Sequence, residues 1–273
     1  MNTQNRPLLA LGLFLAMAGS AQAHSIAVIA NTPATSPGGK VTVFLAWGHR
    51  LPVDELISGN DLAQFQRHSP SGAVTPLSRD DRSLQANEIV LDETGLHQVT
   101  VVRAPSVFTM YTEASGKRVH ARGPKSELVL PEGAQINLSA RSSQFGKALI
   151  IAGSSESAAP CPPLGHALEI VLESTPGMKG FSPDEPIRAR VLFQGKPLAG
   201  VNVFAASTTL NPDGSPEVSA VTDDEGRVAL DLFEPGTWVL QVSHRTDAPE
   251  SQRDSYDTES FFASFTIPVS DGE

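Results

Sequence analysis

The stretch "RVALDLFEPGTWVLQVSH", Arg227 to His244, decides how this chain folds. Val228, Leu230 and Leu232 alternate with Arg227, Ala229 and Asp231, and after Glu234-Pro235-Gly236-Thr237 the beat resumes with Trp238, Leu240 and Val242. A period of two with one apolar face is the pattern of a strand buried on one side, because successive side chains point to opposite faces of a sheet. Pro and Gly between two such runs mark a chain reversal.

The same pattern extends outward. Ile187, Ala189, Val191 and Phe193 alternate with Arg188 and Arg190, and Phe261, Ala263, Phe265 and Ile267 form another apolar row. Turn chemistry recurs at "QGKP" (194–197), "NPDG" (211–214) and "DDEG" (223–226). In the first half, strands are expected at "SIAVIA" (25–30), "KVTVFLAWGH" (40–49), "NEIVLD" (87–92), "GLHQVTVVR" (95–103), "SVFTMYTEA" (106–114) and "KALIIAG" (147–153). No long segment keeps the i, i+3, i+4, i+7 spacing of an amphipathic helix. The expected class is all-β, with two immunoglobulin-like β-sandwich domains in tandem.

The composition shift at "GSSESAAPCPPLG" (153–165) places a linker at 156–164, between a first domain at 24–155 and a second at 165–273. A polar insertion at 50–87 holds either one short helix around Val53 to Phe65 or a pair of edge strands.

Residues 1–23 have the layout of a signal peptide: Arg6, an apolar run, then Ala21-Gln22-Ala23. Cleavage between Ala23 and His24 removes one positive charge and takes the net charge from -10 to -11. The expectation is a periplasmic protein with no membrane insertion after cleavage. Its acidity argues against nucleic acid as a partner. The single cysteine, Cys161, excludes an internal disulfide and reads as an incidental linker residue.

Cleavage would make His24 the first residue, so that its α-amine and imidazole chelate one metal ion together. Such nitrogen donors suit nickel, cobalt, copper and zinc better than magnesium or calcium. His49, which ends the strand "VFLAWGH" after a glycine, is the best-placed second imidazole. His120 follows it, with His97, Asp54 and Glu55 as lesser candidates. The structural alternatives are a polar, frayed terminus for His24 and a strand-end histidine bonded to a loop for His49. His166 and His244 read as structural, and His68 as solvated. No two histidines have the tight spacing of a strong metal motif, and no nucleophile elbow, H-E-x-x-H or phosphate-binding glycine loop is present.

The segment from Gly195 to His244, with "GKPLAG", "TDDEG" and "PGTW", is similar to the carboxypeptidase-regulatory-like, transthyretin-like β-sandwich pattern. The mature chain as a whole resembles a bacterial periplasmic family of unknown function, described as the periplasmic component of ABC-type cobalt and nickel uptake systems. The resemblance rests on Ala23-His24, "WGHRLPVDELI" (47–57), "LGHALEIVLE" (164–173), "VLFQGKPLAGVNV" (191–203) and "YDTESFFASFTIPV" (256–269). It implies a non-enzymatic protein that carries nickel or cobalt to a membrane transporter. The other readings are a scaffold or adhesion-type sandwich that binds a partner protein, and a copper oxidase with an N-terminal histidine brace and Tyr111 or Tyr256 as axial ligand.

Overall fold

The structure, a computed structural model, describes residues 24–81, 83–153, 161–210 and 215–271. The expected signal peptide, the "NPDG" turn and most of the expected linker lie outside them. Among the described residues the regular structure is almost entirely strand, with three single 3-10 turns. No helix among them is long and apolar enough to cross a membrane.

In chain order the strands are β1 (Ser25–Ala30), β2 (Ala34–Thr35), β3 (Lys40–Gly48), β4 (Leu62–His68), β5 (Val74–Pro76), β6 (Ala86–Val90), β7 (Gly95–Thr112), β8 (Arg118–Arg122) and β9 (Gln135–Ala152). Then come β10 (Leu168–Leu172), β11 (Ile187–Phe193), β12 (Lys196–Pro197), β13 (Asn202–Ser207), β14 (Val218–Val221), β15 (Arg227–Leu230), β16 (Gly236–Asp247) and β17 (Thr258–Val269).

A ten-stranded sheet forms the middle layer, in the order β14-β13-β16-β17-β9-β7-β4-β5, with β2 and β8 attached. Parallel pairing of β9 with β17 joins strands from either side of residues 153–165. Two smaller sheets cover opposite faces of this layer, as the alternation along β9 shows. Ala148, Ile150 and Ala152 pack with β1, β3 and β6, while Phe145, Leu149 and Ile151 pack into the core shared with β10, β11 and β15. The architecture is an all-β sandwich in which each half contributes a covering sheet and both share the middle one. In the second core, Trp238, Leu240 and Val242 face Val228 and Leu230, as the alternation predicts.

Two long strands depart from expectation. β7 runs through both segments predicted as separate strands. It carries Ala104 and Pro105 as an irregularity between Arg103 and Ser106, where proline has no N–H to give to the ladder. β9 begins at Gln135, in a polar run well before the strand expected at 147–153. Because β7 pairs with it on one side and β17 on the other, its backbone is satisfied although Ser142, Ser143 and Gln144 are buried. The insertion at 50–87 takes the edge-strand form: a 3-10 turn at Gly59–Asp61 leads into β4, and β5 pairs with β4.

Strand β1 is buried on both faces. Ile26 and Val28 enter one core, while Ala27 and Ile29 enter a small cluster with Ala206 and Val239. Its backbone lies against β9 at Gly146, where a Cβ would sit 3.6 Å from Ala27 Cα and 2.8 Å from Val101 Cγ1. The Ser264 hydroxyl donates to Ile26 O at 2.7 Å. The start of the described chain is thereby fixed on the middle sheet.

Candidate functional site

Antiparallel pairing of β1 with β3 sets the register Ser25 to Gly48 and Ile26 to Trp47. One step beyond the first pair, His24 and His49 stand opposite each other, with ring centroids 4.6 Å apart and planes at 68°. The Trp47 ring lies 5.3 Å from that of His24. His24 is also held through its backbone, since Gln144 Nε2 donates to His24 O at 2.8 Å.

The turn after β3 shapes the other side. Gly48 has a φ of +123°, and a Cβ there would sit 2.5 Å from Asp54 Oδ2. Glycine permits both the left-handed backbone and the close carboxylate. Asp54 accepts from the His49 N–H at 2.8 Å. That bond, helped by the Arg50 N–H, holds the Asp54 carboxyl below its ordinary pKa. Asp54 therefore fixes the backbone of His49. The Glu55 N–H donates to Trp47 O at 2.9 Å, and Glu55 Oε1 lies 3.2 Å from His24 Nε2.

This contact suits a chelating terminus. With Glu55 at Nε2, His24 keeps Nδ1, the ring nitrogen that would close a small ring around a metal with an α-amine if cleavage after Ala23 freed one. A carboxylate on the outer nitrogen of a liganding imidazole fixes the ring and raises its basicity. Among the described residues no group of three or more His, Cys, Asp and Glu side chains is arranged to hold a metal ion. An α-amine freed at His24 would add a third nitrogen to the two imidazoles.

The remaining candidates stand elsewhere. His120 is on β8, exposed, with its ring 5.0 Å from Phe108, and is not among the residues around the His24–His49 pair. His97 is fully buried and bonds through Nε2 to Glu93 O at 2.8 Å, and burial lowers its pKa. His68, expected to be solvated, pairs with Thr100 Oγ1 at 3.1 Å, and burial lowers its pKa too. His166 stacks on Phe145, and burial pushes its pKa from 6.5 down to about 4. Cys161, expected as an incidental linker residue, lies in the second core, where burial pushes the thiol up to about 11. Neither Tyr111 nor Tyr256 lines the cavity beside the histidine pair.

That cavity, about 410 Å³, opens from His24 and His49 between β1, β3 and the middle sheet. Its far wall comes from the second half of the chain, through Phe204, Gln241, Arg245 and Phe262. The sequence carries no local sign of these residues. Arg50, like Ser25, Gly48 and Leu51, is a cavity residue that sequence proximity to the two histidines could have found.

The family model described as "Domain of unknown function (DUF4198)" matches residues 21–246. No curated protein matches the chain. Among solved structures, the D00-D0 domain of Intimin is 13% identical, covering 90% of this chain and 100% of that one. The TM-score of that match is 0.19.

Proposed function

Since the chain belongs to the family described as a domain of unknown function (DUF4198), we propose that it is a periplasmic protein that binds a transition-metal ion and delivers it to an uptake transporter. Nickel or cobalt is the proposed cargo, from the resemblance to the periplasmic components of cobalt and nickel uptake systems. The observation that supports metal binding is the 4.6 Å approach of the His24 and His49 rings. Two imidazoles and, after cleavage behind Ala23, one amine form a nitrogen set of the kind that borderline first-row metals prefer. Glu55 would orient His24, and Asp54 would fix His49 through its backbone.

The test is calorimetric titration of the protein beginning at His24 with nickel and with cobalt, beside His49→Ala. The expected result is binding of one ion per chain, weakened at least tenfold in the variant. Equal affinity in the two proteins would remove His49 from the site. Absence of binding by either metal would favour a scaffold that recognises a partner protein instead.

A further inference from the structure

The cavity beside the histidine pair is much larger than a metal ion needs. A water molecule occupies about 30 Å³ of the liquid, so the few coordination positions left open by three protein nitrogens could be filled in a fraction of the 410 Å³. Pockets of this size accommodate small organic molecules.

Glu55 and Asp54 hold the two histidines from outside the cavity, and the cavity's own lining is basic. The chain has a formal net charge of -10, yet no Asp or Glu lines the cavity, whereas Arg50 and Arg245 do. Arg245 Nε donates to Ser260 Oγ at 3.3 Å, and Arg50 is within electrostatic reach of Asp54. Neither guanidinium forms a salt bridge among the described residues. The planar guanidinium fork matches a carboxylate. The Gln241 amide adds a donor, and Trp47, Phe204 and Phe262 add apolar wall.

We infer that the cavity takes its metal as a complex with a small carboxylate-bearing chelator. The two histidines coordinate the metal, and Arg50 and Arg245 receive the chelator's free carboxylates. This rests on the metal-binding reading of His24 and His49 and adds a second ligand class to that site.

Equilibrium dialysis of the protein beginning at His24, against nickel–citrate and separately against nickel with L-histidine, tests it by counting both metal and chelator. The expected result is co-retention of nickel with one of these chelators in a fixed ratio. In Arg50→Gln/Arg245→Gln, the ratio of chelator to nickel retained falls at least tenfold. Nickel retained with both chelators left behind would overturn the chelate and leave the metal site standing, and an unchanged ratio in the double variant would overturn the assignment of the chelator's carboxylates to Arg50 and Arg245. Retention of no nickel in any arm, nor from nickel alone, would overturn both readings.

Discussion

His24 and His49 face each other across the first step of the β1–β3 ladder, 4.6 Å between ring centroids, although 24 residues separate them in the chain. Cross-strand neighbours interact through their side chains, so the ladder register brings the two rings together. What happens to either strand end is therefore felt at the pair.

Gly48→Ala tests this positioning without removing a candidate ligand. The added methyl would meet Asp54 at a backbone φ of +123° that alanine tolerates poorly. We expect a stability loss of about 1–3 kcal/mol in urea unfolding. Nickel affinity should fall at least tenfold, because the Asp54 carboxylate that holds the His49 N–H is displaced. Unchanged affinity with the expected loss of stability would show that the turn does not position His49.

A different pair anchors the second half. Lys147 on β9 and Glu169 on β10 lie 2.9 Å apart, with side chains 3% and 1% exposed. Burial lowers the Lys147 pKa against the pull of Glu169. The Glu169 pKa is lowered although burial opposes it, because Lys147 and the Leu164 N–H outweigh that cost. Removing one partner of such a pair leaves a buried charge, so Lys147→Met should destabilise by about 3–5 kcal/mol. Lys147→Met/Glu169→Gln should recover part of that loss. Incomplete recovery is expected because Glu169 also accepts from Leu164 N and Gly165 N. Chemical denaturation of the three proteins gives the comparison, and a single variant as stable as the wild type would contradict it.

Stability should also fall in mild acid. His166 titrates at about 4 in the fold against 6.5 ordinarily, so below 6.5 the unfolded chain binds a proton that the native chain refuses. Its contribution is fully present above pH 6.5 and is lost as pH falls towards 4. Burial lowers His68, His97 and His244 in the same direction. His166→Gln should flatten the fall by up to about 1.4 kcal/mol per pH unit, read from urea unfolding between pH 4 and 7. An unaltered slope would show that His166 is not a source of the acid sensitivity.

The strands were legible where one face is buried and the other wet, as in Arg227–Leu230 and Ile187–Phe193. The polar start of β9 was not, because its stability comes from partners on both edges, β7 and β17, that are distant in sequence. His24 and His49 could be named from chemistry, but their meeting depends on a ladder register that periodicity does not give. The cavity wall was invisible for the same reason: Gln241 and Arg245 reach the site only because β16 joins the shared middle sheet. Buried histidines such as His97 lacked any local sign of burial, since what covers them is again remote in sequence.

In the proposed metal site, a free α-amine at His24 supplies the third nitrogen. Nickel titration of the chain beginning at His24, beside the same chain with Ala23 retained, tests it most directly. At least a tenfold loss of affinity is expected when Ala23 converts the amine into an amide. Equal affinity in the two proteins would contradict it.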